Sequence, residues 1–100
     1  MIVIAGTISF DPANKKKAAE AALALMAETR KEAGCISYGF TADLADEGTF
    51  HIFEEWKTQA DIDAHTQAPH MKAFGKLVPT LGIRGMKLQK YEVSSVGPLR

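Results

Sequence analysis

The residues able to do chemistry are concentrated between His51 and Phe74, a stretch that holds all three histidines, the only tryptophan and the Glu54-Glu55 pair. His65 lies three residues after Ile62, on the apolar side of a short helix, so it is expected to lean toward the interior. Asp61, one helical turn earlier, is placed to orient or charge its imidazole. Two readings of His65 stand. It is either a half-buried histidine bonded to a carbonyl, or a general base near neutrality that lines a pocket between helix and sheet. Trp56 is either core or an aromatic platform for a ligand. Glu54 shares its face, and a carboxylate on a covered face needs a partner or a task.

Other chemistries find less support. A zinc site needs three converging ligands, and no HxH, HExxH or CxxC is present. His51 and Glu54 differ in strand parity, while His65 and His70 straddle Pro69, so no metal is expected. His70 is expected to be exposed. Cys35 follows Gly34 without a basic neighbour to make it a thiolate, and is read as packing. Phosphate-binding glycine loops and the G-x-S-x-G elbow are absent.

The elements that must position these groups follow from periodicity. Met1–Phe10 is rich in β-branched residues and ends at Asp11-Pro12, as a first strand should. Asp11 then caps a helix that begins at Pro12 and is expected to run to about Ala33, with Gly34 as a left-handed C-cap. Ala18, Ala22, Leu25 and Thr29 form its buried stripe. Cys35–Ala42 alternates as a second strand, with Ile36, Tyr38 and Phe40 on one face. Thr49–Trp56 is a third, carrying Phe50, Ile52, Glu54 and Trp56 on one side and His51, Phe53 and Glu55 on the other. Thr58 and Asp61 resemble a capping box opening a short helix. Pro69 starts a further helical segment with His70, Met71, Phe74 and Leu77. Pro79–Gly82 is a loop, Ile83–Val93 a long last strand, and residues 94–100 a tail. The order β-α-β-β-α-β is the ferredoxin-like α+β arrangement, one domain over residues 1–93. Two helices cover one face of four strands, so the other face calls for a second copy packed sheet to sheet.

Composition narrows the function classes. The 100 residues suit one domain, with 46% hydrophobic and 24% charged side chains. Twelve basic and twelve acidic residues leave no net charge, so nucleic acid is not expected as a partner. No uncharged run exceeds ten residues, far short of a membrane span. The first such run lacks the basic region of a secretory signal. One cysteine fits a reducing cytoplasm.

Phe53-Glu-Glu-Trp56-Lys, then His65, then Pro69-His-Met-Lys-Ala-Phe74, together with Gly34-Cys35 and Tyr38 after an Ala/Leu-rich helix, resembles the antibiotic biosynthesis monooxygenase family. The likeness runs from Met1 to about Val93 and is nearest the small bacterial quinol-monooxygenase-like members. It implies a homodimeric α+β barrel of ferredoxin-like subunits. It also implies a monooxygenase without flavin, haem or metal, in which an electron-rich dihydroxyaromatic of the quinol or phenol type itself reduces O₂. On that reading His65 is the base, Glu54 its helper or a hydroxyl acceptor, and Trp56 an aromatic wall beside them. Tyr38 and Phe74 are further walls, with Ile52, Ile62 and Met71 completing the substrate lining. Haem-degrading relatives use a strand-1 Asn where Gly6 falls here, and a helical His that the Phe74-Gly75 region lacks. Two alternatives remain open: an isomerase of a phosphorylated autoinducer-2-type sugar, which would call for a basic cluster in the pocket, and a non-catalytic dimeric module binding a small ligand.

Overall fold

A computed structural model describes every residue from Met1 to Arg100. Four strands, β1 (Ile2–Phe10), β2 (Cys35–Ala42), β3 (Thr49–Trp56) and β4 (Ile83–Glu92), form one antiparallel sheet in the order β2-β3-β1-β4. Three helices, α1 (Lys15–Thr29), α2 (Gln59–Thr66) and α3 (Pro69–Leu77), complete a ferredoxin-like α+β fold. No helix is long and apolar enough to cross a membrane.

The start of the first helical region is built as expected, with one refinement. Asp11 accepts from the Ala13 N–H and caps a 3₁₀ turn over Pro12–Asn14, which feeds into α1. The stripe Ala18, Ala22, Leu25 and Thr29 is buried, and Ala21 joins it.

The C-terminal end of α1 departs from expectation. The helix stops at Thr29 rather than near Ala33, because the chain tightens into short-range bonds, Lys31 N–H to Glu28 O and Glu32 N–H to Thr29 O. Gly34 is not left-handed; the only residue with positive φ is Gly82, at 67°, where the chain turns into β4. Gly34 is required for another reason: a side chain there would collide with Asp61 at the start of α2. The Lys57 N–H also donates to the Gly34 carbonyl at 3.0 Å, so the two segments lie against each other.

Strand β2 carries a second correction. Pairing with β3 jumps from Cys35↔Trp56 to Ser37↔Glu55, so Ile36 occupies a bulge. It is therefore 47% exposed while Tyr38 is buried. From Tyr38 onward the register holds, and Tyr38, Glu54, Ile4 and Lys90 form one row across the sheet. The next row is Phe40, Ile52, Gly6 and Leu88.

The helix-covered face holds two apolar clusters. One is Ile8, Phe10, Ala18, Ala22, Phe50, Ile52 and Leu81. The other is Leu25, Tyr38, Trp56 and Ile62, with Met71 and Phe74 against its margin. On the opposite face no helix covers Phe53 and Tyr91, which are 50% and 48% exposed. On β4 even the residues on the helix side, Met86 and Leu88, are 50% and 42% exposed, because α3 does not extend over them. That gap becomes a cleft.

Candidate active site

The cleft has a volume of about 280 Å³ and lies between α3 and the sheet floor. Its sheet side is Tyr38, Phe40, Ile52, Glu54, Met86 and Leu88; its helix side includes Leu25, Met71 and Phe74. Nine of its eleven lining residues are hydrophobic, the composition expected of a small-molecule pocket with few orienting polar groups. Glu54 is its only carboxylate, and no lysine, arginine or histidine lines it.

Glu54 reaches the cleft because strand alternation places it between Ile52 and Trp56 on the covered face. The Trp56 indole N–H donates to Glu54 Oε1 at 2.9 Å. Trp56 is fully buried and Glu54 is 5% exposed, so a bond between two enclosed groups fixes the carboxylate's orientation. Burial pushes the Glu54 carboxyl above its ordinary value. The indole bond and His65 pull it down, and the Glu32 charge adds to the rise. Burial likewise raises the Tyr38 hydroxyl, reinforced by Glu54 and Glu32, which keeps that phenol protonated. Cys35 is raised by burial and by the same two carboxylates, so it carries no reactive thiolate.

His65 is buried, as its helical position requires, and its ring packs 4.8 Å from Trp56 and 5.4 Å from Tyr38, centroid to centroid. It stands behind those two rings and does not line the cleft. Asp61 does not orient it. That carboxylate is spent on the capping box, accepting from the Thr58 N–H and hydroxyl while the Asp61 N–H donates to Thr58. The partner of His65 is Glu32, whose Oε2 lies 2.7 Å from Nδ1. His70, expected to be exposed, is turned inward and places Nε2 2.8 Å from the same oxygen.

Of the residues singled out for a pocket, Tyr38, Ile52, Glu54, Met71 and Phe74 meet in the cleft. Trp56 and Ile62 are in the core beneath it, with Trp56 reaching the site through its bond to Glu54. Phe40, Met86 and Leu88 were not singled out. Alternation had already put Phe40 on the same face as Tyr38, whereas the β4 residues enter only through the pairing of β1 with β4. Glu32 gave no signal, since its position depends on where α1 stops.

A buried, oriented carboxylate facing an apolar cleft can take a proton from a bound hydroxyl. Tyr38, Phe40 and Phe74 pack ring against ring, at 6.0 Å for Tyr38 and Phe40 and 5.8 Å for Phe40 and Phe74, and give the cleft an aromatic wall.

Comparison with known proteins identifies the family. The family profile described as antibiotic biosynthesis monooxygenase matches residues 1–77. An uncharacterised Synechocystis protein, sll1783, is 31% identical over 98% of this chain and 67% of its own length. The Escherichia coli K12 protein named probable quinol monooxygenase YgiN is 36% identical over 48% of this chain and 54% of its own. A Deinococcus radiodurans protein of solved structure superposes with a TM-score of 0.92 at 23% identity, covering 100% of this chain and 99% of that one.

Proposed function

The chain belongs to the antibiotic biosynthesis monooxygenase family, and from that premise we propose that it oxidises a dihydroxyaromatic of the quinol type with O₂, using Glu54 as the base. The observation that carries this reading is the placement of Glu54, the one carboxylate in an apolar cleft, with its ionisation held above the usual range by burial. A phenol hydroxyl bound against its free oxygen gives up a proton, and the resulting phenolate is a far better electron donor to O₂. Oxygen, being apolar and small, enters such a cleft readily. The balance closes without an external reductant. The substrate supplies four electrons, one oxygen atom becomes a new ring substituent, the other leaves as water, and the ring leaves as a hydroxyquinone.

His65 enters this mechanism as a positioning residue. It packs on Trp56 and Tyr38 and is bonded to Glu32, so it holds the indole that holds Glu54. The sugar-phosphate isomerase reading lacks its requirement, because no cationic side chain lines the cleft. For the assembly we propose a homodimer joined through the uncovered sheet face.

Oxygen uptake with a panel of naphthoquinols and anthrols tests the activity against the protein-free autoxidation baseline. Uptake well above baseline that is lost in Glu54→Gln is the expected result. Uptake at baseline with every substrate removes the oxygenase reading for these quinols and favours a ligand-binding module.

A further inference from the structure

Glu32, His65 and His70 come from three separate segments: the turn after α1, the last turn of α2 and the first turn of α3. Glu32 Oε2, His65 Nδ1 and His70 Nε2 nevertheless all lie within 4.8 Å of one another. None of the three lines the cleft, and the reaction proposed above uses none of them to move a proton. We propose that this trio is a binding site for a divalent first-row transition cation of the zinc type, held by two imidazole nitrogens and one carboxylate oxygen.

The donor set decides the class of ion. Magnesium and calcium take shells of oxygen ligands, whereas two imidazoles with a carboxylate suit zinc and its first-row neighbours. The site must rearrange to hold an ion, since its donor atoms spread over as much as 4.8 Å and the two imidazole nitrogens have to draw together. Bonds of roughly 2.0–2.1 Å in a tetrahedral site separate ligand atoms by about 3.3 Å. The Glu32 oxygen now stands 2.7 and 2.8 Å from the two nitrogens, so it must withdraw by roughly half an ångström as the ion enters. Glu32 sits in a turn outside regular structure and can rotate to do this. The site also has an entrance. The side chain of His65 is 4% exposed, but those of Glu32 and His70 are 18% and 19% exposed, leaving room for a water as fourth ligand.

Such an ion would tie the α1–β2 turn to both α2 and α3. His70 is adjacent to Met71 and one turn before Phe74, and both of those residues are cleft walls. Occupancy would therefore fix one wall of the cleft without entering it.

The full-length protein, stripped of metal, is titrated with Co²⁺ and separately with Zn²⁺. One equivalent of Co²⁺ giving tetrahedral visible bands, displaced by Zn²⁺, and a melting temperature that rises with Zn²⁺ are the expected results. His70→Ala and Glu32→Gln should each weaken binding at least about a hundredfold, beyond the loss typical of an outer-shell partner. His51→Ala, on the far side of the sheet, should leave it unchanged. A measurement free of variants uses Co²⁺-induced paramagnetic shifts in the native protein, which must centre on the imidazoles of His65 and His70. The proposal is overturned by absence of stoichiometric binding, by binding that survives both ligand substitutions, or by shifts centred elsewhere. None of these outcomes depends on oxygen uptake, so this site and the oxygenase reading stand or fall separately.

Discussion

Trp56 and Glu54, two residues apart on one strand, are joined by a 2.9 Å bond from the indole N–H to Oε1. That bond occupies one carboxylate oxygen and leaves the other without a protein partner at the cleft. Glu54→Gln keeps an acceptor for the indole but cannot take a proton, so kcat should fall by about 10²–10⁴. Stability should move the other way. A carboxyl raised in the folded state contributes stability only below its unfolded pKa and loses it as pH rises through the folded value. Above the folded value the ionised group is therefore a cost, and removing it should raise Tm by several degrees, as expected for roughly 1 kcal/mol in a domain this size. Oxygen uptake and thermal melts on the same sample check both signs. A variant that is both less active and less stable would mean that Gln fails to restore the Trp56 contact.

The pH dependence of kcat/KM follows from the same group. Facing Glu54 are the Tyr38 hydroxyl, which stays protonated, and the charges of His65 and Glu32. Activity requires the ionised carboxylate, so kcat/KM should rise with pH through the raised Glu54 value. Trp56→Phe removes the indole bond that favours ionisation, so the rising limb should shift to higher pH. A limb that stays in place would assign it to a different group.

Much of this was legible in the chain. Strict alternation over Thr49–Trp56 placed Glu54 and Trp56 on one face, and the structure keeps that register. Asp11, Pro12, Thr58, Asp61 and Pro69 mark helix starts because each satisfies or removes an orphan N–H locally. What remained hidden depends on contacts between distant segments. Propensity favours helix through Ala33, yet α1 stops at Thr29 and the turn after it lies against the start of α2 through Gly34. His65 and Asp61 share a helix, yet Asp61 is drawn back to its own N-cap and Glu32, 33 residues away in sequence, takes the histidine. Met86 and Leu88 become cleft lining through the pairing of β4 with β1 together with the placement of α3.

Gly34→Ala should destabilise the protein by about 1–2 kcal/mol, the range for losing a helix cap. The added methyl would press on Asp61, which must leave the capping box or shift α2. Because α2 carries His65, the displacement should also loosen the packing against Trp56. Thermal melts report the first effect and tryptophan fluorescence the second. Unchanged Tm would show that the turn after α1 gives way instead.

Thr29 is fully buried, and its hydroxyl is the one enclosed side-chain polar atom without a hydrogen-bond partner. Burying an unpaired hydroxyl is unfavourable, and Val has nearly the same shape without it. Thr29→Val should therefore raise stability by about 1 kcal/mol. Denaturant unfolding with an unchanged m-value checks this. A loss of stability would show that an ordered water serves the hydroxyl.

The uncovered sheet face tests the assembly. Strand alternation sets Val3, Ala5 and Thr7 beside His51, Phe53 and Glu55 on one flank and Gln89 and Tyr91 on the other. Phe53, half-exposed at the middle of β3, is the aromatic anchor that a sheet-to-sheet contact would bury. Two copies meeting here would leave the cleft free, since it opens on the opposite face of the sheet. Phe53→Lys introduces a charge that such a contact cannot hydrate. In equilibrium sedimentation the native chain should have the mass of two copies and the variant that of one. Far-UV circular dichroism should be retained, because Phe53 belongs to neither buried cluster. A native chain sedimenting as a single copy removes the dimer, and a variant that remains two copies moves the contact to another surface.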